Sequence, residues 1–426
     1  MFRRIAFILA CVLVALLPLS ACVPKMAMPA SEQVTLTVAY RGERPEMKAL
    51  FERFTQAHPN IKVQAIEVTG PGADLRRTVA ASEVDLFRDT RDSLSYYISS
   101  NLIRPLDEMQ LTDWADIRED FFPGTWESLT SGGQQWGIPA GLDVLVTYIN
   151  LDQANALGVA VPESNWDLFD FLDVTNKLNF PEGLPNSSAR LFGFCSSPAS
   201  MDPLVFVYLH GGSIIDDINN PTRPTLDDPR TIEAVQWYAD LFTRYGVAPN
   251  QELLRQAFPR YGINEAQVRG GCAVWFGWYS ARGGRNMPIE WTIKWKMLPL
   301  PKDQASFGLG DVEGYYITAK SAHPREALML VRYLTDQWEA SGGQLPPRRS
   351  LATSKEYAKS VGAEIAAVAA RQSENLIIIP STLSSRLEGV GQIFFNALTT
   401  IINEDLDAAS VLGEAQARAE ALFQQP

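Results

Sequence analysis

Val34-Thr-Leu-Thr-Val-Ala-Tyr40, then Pro45-Glu-Met-Lys-Ala-Leu-Phe-Glu-Arg-Phe54, then Ile61-Lys-Val-Gln-Ala65 is the stretch on which the reading of the fold turns. In the first segment Val34, Leu36, Val38 and Tyr40 alternate with Thr35, Thr37 and Ala39, the period of a strand with one face more apolar. In the second, Met47, Leu50, Phe51 and Phe54 recur at helical spacing, with Pro45 at the opening and Pro59 as the stop. Ile61, Val63 and Ala65 then resume the alternation. The segment is a strand, helix, strand unit.

The same alternation continues toward the C-terminus. A helix around Leu75 to Ala80 leads to a strand at Val84-Asp85-Leu86-Phe87, and one around Leu94 to Ile98 leads to Asn101-Leu-Ile-Arg-Pro105-Leu106. After Trp136-Gly-Ile-Pro139 a second series begins. It has strands at Val144 to Ile149, Ala273 to Phe276 and Trp295 to Leu300, a helix over Trp166 to Leu178, and a compact apolar run from Leu204 to Leu209 before His210-Gly211-Gly212. Asp228-Pro229 caps a helix whose apolar face is Ile232, Val235, Tyr238, Leu241 and Phe242, with Gly246 just past its end. Pro324 opens a helix with Leu328, Val331, Leu334 and Trp338, and Val411, Leu412, Ala415, Ala419 and Leu422 face a closing one. The expected class is α/β, each sheet mostly parallel and flanked by helices.

Toward the N-terminus, Arg3 and Arg4 precede an apolar run from Ile5 to Leu19, followed by Ser20, Ala21 and Cys22. A basic start, a short apolar stretch and a small-residue site make an export signal, too short to span a bilayer comfortably. Leu19-Ser20-Ala21-Cys22 resembles the bacterial lipobox. That resemblance implies cleavage of residues 1–21 and lipidation of Cys22, anchoring the protein to the outer face of the cytoplasmic membrane or in the periplasm. A plain secretory signal with an incidental cysteine is the alternative. Residues 22–33, with Pro24 and Pro29 and no periodicity, read as a tether.

The remaining chain of about four hundred residues has the length of two domains. Removing Arg3 and Arg4 with the leader leaves 35 basic against 49 acidic residues, a balance that argues against a nucleic-acid partner. An apolar content of 46% with ten Trp indicates a packed globule. Three His speak against a metal site, and no cofactor is expected. Outside the leader and Cys22, only Cys195 and Cys272 remain. In an exported protein they can pair, but both lie in apolar strand contexts, so two buried thiols are an equal reading.

Several segments, in this order, resemble the bacterial extracellular solute-binding proteins that are similar to maltose-binding protein, receptors of sugar ABC importers. They are Phe51-Glu-Arg-Phe54 with His58-Pro-Asn-Ile-Lys-Val63, Asn101-Leu-Ile-Arg-Pro-Leu-Asp107, Trp136-Gly-Ile-Pro139 and Thr147-Tyr-Ile-Asn150. Val268-Arg-Gly-Gly-Cys-Ala-Val274, Leu298-Pro-Leu-Pro301, Gly314-Tyr-Tyr-Ile317 and Gly343-Gln-Leu-Pro-Pro-Arg348 complete the series. Ile149-Asn150-Leu151-Asp152 departs from the family's usual Tyr-Asn-Lys, and Cys272 from its small or alkyl residue. The resemblance implies two α/β lobes joined by hinge crossings, with a solute held between them. Lobe 1 is expected over 34–143 and 311–340, lobe 2 over 144–310 and 341–426. The implied partners are a small solute, foremost a mono- or oligosaccharide, and an ABC permease, with the receptor itself a monomer.

Loops after strands supply ligand contacts in such sheets, and sugars need aromatic plates and planar polar groups. Trp275, Trp278 and Tyr279 lie around the end of a strand, and the resemblance favours Trp278 and Tyr279 for the cleft; alternation makes Trp275 a core residue before a ligand contact. Tyr40 and Arg41 end the first strand, and Arg88 and Asp89 follow the strand at Val84 to Phe87. Asp143 lies in the first crossing, and Asp311 and Glu313 lie in Gly308-Leu-Gly310-Asp-Val-Glu-Gly314 of the return crossing, a run that reads as a flexible hinge. Arg348 follows the stiff Pro346-Pro347. A surface or structural ion pair is the competing reading for the charged positions. The arginines also suit an acidic or phosphorylated solute.

No nucleophile elbow, zinc-protease or P-loop motif occurs, and His58, His210 and His323 stand apart. The chain is therefore not expected to be an enzyme, although a carboxylate pair for glycoside hydrolysis needs only to meet in space. A binding lipoprotein coupled to a sensor instead of a permease has the same sequence signature.

Overall fold

The computed structural model describes residues 33–424 apart from 43, 71, 82, 110–113, 186–187, 219–220, 286–289 and 379–383. The expected leader, Cys22 and all of the tether but Gln33 lie outside the described residues. Eleven strands are described: β1 (Val34–Arg41), β2 (Ile61–Val68), β3 (Leu86–Thr90), β4 (Thr130–Ser131), β5 (Gln134–Gln135), β6 (Ile138–Asn150), β7 (Phe192–Phe194), β8 (Cys272–Trp278), β9 (Trp295–Leu298), β10 (Gly308–Ile317) and β11 (Leu376–Ile377). Except for the β4–β5 hairpin they form one sheet in the order β2-β1-β3-β10-β6-β8-β7, with β9 on β6 and β11 on β10.

Pairing is parallel at β1–β2, β1–β3, β7–β8 and β10–β11, and antiparallel wherever β6 and β10 meet other strands or each other, except at β11. These two long strands are the crossings. The first part of β6 pairs with β10 from Ile138 to Val144, and its last part pairs with β8 and β9 from Leu145 to Asn150. β10 runs the opposite way, pairing with β3 over Glu313 to Ile317. A third connection lies at Leu345, whose backbone exchanges hydrogen bonds of 2.8 and 2.9 Å with Leu142.

Besides an apolar cluster that runs through the crossings with Phe87, Tyr97, Val144, Tyr148 and Trp275, two apolar cores flank this junction. One gathers Leu36, Val38, Tyr40, Leu50 and Phe54 with Tyr315 and Leu330. The other gathers Phe171, Phe194, Phe206, Tyr238 and Phe276 with Phe394 and Leu398. The helix Pro45–Ala57 buries Met47, Leu50, Phe51 and Phe54, the stripe its spacing predicts. In helix Pro229–Thr243 the Asp228 side chain accepts from the Arg230 amide, and Val235, Tyr238 and Leu241 are buried. The run Leu204 to Leu209 belongs to helix Asp202–Leu209, which is buried on every side and so shows no amphipathic stripe.

Two features bear on the reading of the sequence. The long helix Ser384–Glu404 was not anticipated; it packs against the closing helix Ala408–Gln424 and buries Val390, Phe394, Leu398 and Ile401. Full burial of a side chain such as Phe394 stabilises by roughly 2–3 kcal/mol relative to exposure. The glycines of the return crossing sit where there is no room for a side chain. A Cβ on Gly308 would lie 2.1 Å from the Gln372 carbonyl oxygen, and one on Gly314 2.8 Å from the Tyr316 ring. Neither has a positive φ.

Candidate functional site

A crevice of about 680 Å³ opens between the two cores. From the first core's side it receives Arg91 and Asp92, carried on the single 3-10 turn Arg91–Ser93 that follows β3 directly. Crossing strand β10 presents Leu309, Gly310 and Asp311. The opposite wall is mostly apolar, with Met201, Leu204 and Tyr208 from the buried helix, Ile214 and Ile215 beyond it, and Trp278 from the end of β8. The helix Ser384–Glu404 closes the rim with Leu387, Glu388, Gly391, Gln392 and Phe395.

Trp278 owes its place to strand alternation. Val274, Phe276 and Trp278 share a face of β8; Phe276 is buried in the core while Trp278, at the strand's open end, is partly exposed. The register pairs Trp278 with Leu145, and the Tyr148 hydroxyl donates to the Trp278 carbonyl at 2.9 Å. Trp275 points to the other face, 1% exposed, stacked on Tyr148 at 5.7 Å and edge-on to Trp291 at 5.1 Å.

The polar end of the crevice is unevenly charged. Arg91 is 5% exposed, with its guanidinium 3.5 Å from Asp92 and 3.8 Å from Asp311, and neither contact is a hydrogen bond. Its Nε and Nη1 are buried without a hydrogen-bond partner. Burial pushes the Asp311 carboxyl up to about 7, reinforced by Asp92 and opposed by Arg91.

Other candidates form a second, buried cluster beside the crossings. Arg88 donates from Nε to Glu313 at 2.6 Å, and from its two terminal nitrogens to the Ala340 and Ser341 carbonyls and the Gln344 side chain. Arg41 and Arg44 also approach Glu313, at 3.9 and 3.4 Å. Burial alone would raise the Glu313 carboxyl, but Arg88, Arg44 and Arg41 overcome it and hold it at about 2. Asp89 is buried between Arg41 Nε at 3.2 Å and the Tyr97 hydroxyl at 2.6 Å. Asp143 accepts the Ser280 amide at 2.9 Å and the Ser280 hydroxyl, and burial pushes it up to about 6 against those bonds. Arg282 donates to the Gly343 carbonyl at 2.6 Å, so the third crossing is held by an arginine from each side.

The remaining candidates sit in structural contacts. Tyr40 is fully buried, its hydroxyl 3.1 Å from Glu67. Tyr279 is buried with its hydroxyl 2.5 Å from that of Tyr357 and Arg282 over its ring at 4.0 Å. Arg348 pairs with Asp120 at 2.8 Å and with Asp336, tying the chain after the third crossing to the first core. Thus the crevice brings together Trp278 and Asp311 of the candidates, and Tyr40, Arg41, Arg88, Asp89, Asp143, Trp275, Tyr279, Glu313 and Arg348 line none of it. Arg91 and Asp92 were missed because β3 extends to Thr90, three residues past the expected end, to pair with Glu313. The loop that follows the strand is therefore Arg91-Asp92 and not Arg88-Asp89. The rim helix could have been found from Leu387, Val390, Phe394, Leu398 and Ile401, an unbroken three-and-four spacing.

Cys195 and Cys272 form a disulfide between β8 and the end of β7, with a Cα separation of 5.6 Å. Among the described residues no group of His, Cys, Asp and Glu is placed to hold a metal ion, and no helix is long and apolar enough to cross a membrane.

Residues 41–337 match the family model of bacterial extracellular solute-binding proteins. The chain belongs to that family. A "Probable ABC transporter-binding protein" of Deinococcus radiodurans is 26% identical over 246 residues, 55% of this chain and 53% of its own length. The chain thus spans about half the length of this curated relative. Among solved structures, a cyclo/maltodextrin-binding protein complexed with maltotetraose is similar at a TM-score of 0.72 and 17% identity, covering 92% of this chain and 97% of its own. An ABC substrate-binding protein of Listeria monocytogenes in complex with cycloalternan gives 0.71 at 16% identity, over 92% and 100%. The sugar-binding protein MalE of Xanthomonas citri gives 0.70 at 16%, over 92% and 98%. At such identities the likeness establishes the two-lobed α/β fold, and the family is one of binding proteins.

Proposed function

We propose that the protein is an exported, lipid-anchored receptor that captures a carbohydrate between its lobes and delivers it to an ABC importer in the membrane. The observation that carries this reading is the crevice itself, where a partly exposed Trp278 on an apolar wall faces a charged edge of Arg91, Asp92 and Asp311. A sugar ring has an apolar face for the indole and hydroxyls for the charged edge. Family membership supports capture without turnover, and the relatives' bound oligosaccharides support the ligand class.

We assign residues 34–143 and 311–340 to lobe 1 and 144–310 and 341–426 to lobe 2, with β6, β10 and the chain near Leu345 as the crossings. Closure about them would sequester the solute and present a changed surface to the permease. Lipid at Cys22 and a tether over 22–33 would hold a monomeric receptor near its partner.

Calorimetry and Trp fluorescence of the purified protein over neutral sugars, sugar phosphates, polyamines and peptides test the reading. Saturable binding of a sugar without its turnover is expected; silence toward every sugar, or hydrolysis of a glycoside, refutes it. Metabolic labelling with a radioactive fatty acid should mark the wild type and not Cys22→Ala, and equal labelling rejects the anchor.

A further inference from the structure

Arg91 is a buried guanidinium at the mouth of an apolar crevice, and two of its nitrogens lack a hydrogen-bond partner. Buried donors are rarely left in that state in a folded protein, and of the unpartnered buried side-chain atoms among the described residues only those of Arg91 belong to a residue lining the crevice. The two acids beside it, Asp92 and Asp311, approach within ion-pair distance but make no hydrogen bond to it. The donors are therefore uncommitted while the acceptors stand next to them.

The charges decide what kind of group belongs there. Among the described residues the charge-bearing groups of the crevice are the cation Arg91, the acids Asp92 and Glu388, and Asp311, which shares its proton near neutral pH. An anionic substituent would satisfy Arg91 but would be forced against carboxylates at close range. An ammonium group would suit the acids but cannot accept from Arg91. A hydroxyl does both at once, accepting from the guanidinium and donating to a carboxylate.

We infer that Arg91, with Asp92 and Asp311, is the specificity-determining element of the crevice and selects a neutral polyhydroxylated solute by one of its hydroxyls, rejecting anionic sugars and polyamines. This deepens the carbohydrate reading and rests on it. It runs against the acidic or phosphorylated solute that Arg41, Arg88 and Arg348 suggest in the sequence, since those three arginines are committed to Asp89, Glu313 and Asp120 away from the crevice.

The test measures affinities of the full chain, wild type and Arg91→Ala, by calorimetry with glucose, maltotriose, mannotriose, glucuronate, glucose 6-phosphate and spermidine. A neutral sugar should bind the wild type, with glucuronate and the phosphate at least about a hundredfold weaker, and Arg91→Ala should weaken the neutral sugar by about thirtyfold or more. Should Arg91→Ala fold poorly, monodeoxy analogues of the bound sugar read the same contact on the wild type. One position should then lose about tenfold or more, and the same analogue should lose nothing further in Arg91→Gln. Unchanged affinity in a folded Arg91→Ala, a series in which no deoxy position matters, or an anionic sugar or spermidine bound as tightly as the neutral one overturns the inference and leaves the carbohydrate reading standing. If none of the neutral sugars binds the wild type, the carbohydrate reading fails and takes this inference with it.

Discussion

Replacing Cys195 and Cys272 together by alanine removes a crosslink between residues 77 apart. The segment so closed carries Met201, Leu204, Tyr208 and Ile214, most of the apolar wall of the crevice, so the bond restrains the unfolded form of the part of the molecule that builds the site. For a loop of that length the chain-entropy argument gives a loss of about 4.5 kcal/mol at 25 °C, near the top of the ~2–5 kcal/mol found on removing native disulfides. With an unfolding entropy of about 2.1 cal/mol/K per residue, this corresponds to a fall in Tm of about 5 °C if the whole chain melts together and about 9 °C if the second lobe melts alone. Differential scanning calorimetry of wild type, double variant and reduced wild type measures it. Both altered forms should melt early by similar amounts, while affinity at 25 °C for the ligand stays within about twofold, because the folded crevice is unchanged. A double variant melting within about 1 °C of the wild type would falsify the loop-entropy reasoning. Recovery of Cys195 and Cys272 in separate peptides from the unreduced protein would remove the crosslink itself. Since such bonds form outside the cytosol, protein made in a reducing cytosol should resemble the double variant.

Four further predictions concern single positions. Trp278→Ala should weaken ligand binding by more than about tenfold, roughly 1.4 kcal/mol, in a calorimetric titration, and an unchanged affinity takes the indole out of the site. Glu313 and Asp311, two residues apart on β10, should respond oppositely. Glu313→Gln leaves Arg88 buried without its counter-charge and should cost about 3–5 kcal/mol in urea unfolding at pH 7. Because Glu313 is held at about 2, that loss should be present above the ordinary glutamate value and shrink as the pH falls through 2. Asp311, pushed up to about 7, destabilises the fold once the pH exceeds the ordinary aspartate value. Asp311→Asn should therefore raise Tm at pH 7 more than at pH 4, and an equal shift at both contradicts the burial argument. His210 lies 2.7 Å from Asp303 and 3.0 Å from Glu233; burial lowers its pKa, but the two carboxylates outweigh this and leave it raised. A histidine raised on folding stabilises fully below its unfolded value near 6.5 and loses that contribution as the pH climbs through the folded value. The Tm difference between wild type and His210→Gln should accordingly be largest at pH 5–6 and decline above it.

Much of this molecule is determined locally. The strand, helix, strand unit at Val34–Ala65, the capped helix after Asp228 and the closing helix follow from periodicities of two and 3.6 and from cap and proline chemistry, which act within a few residues. Trp278 was a candidate through the family resemblance, and alternation along β8 puts it on the face of Phe276, one step beyond the covered part of the strand. The acidic balance and the basic-apolar-small pattern over residues 3–22 likewise need no tertiary information.

What only the tertiary structure decided is where strands end and what partners buried charge finds. β3 runs on to Thr90 because β10 offers Glu313 as its partner, and that extension moves the loop facing the crevice from Arg88-Asp89 to Arg91-Asp92. Arg88, Glu313 and Asp143 look identical in sequence to ligand-binding residues, yet they neutralise one another or a neighbouring serine beside the crossings, through contacts between residues more than a hundred positions apart. The pairing of Cys195 with Cys272, left open by their apolar contexts, follows from β7 and β8 lying side by side. Periodicity reports which face of an element is buried. It carries no information about which other element buries it, and the crevice is made of those pairings.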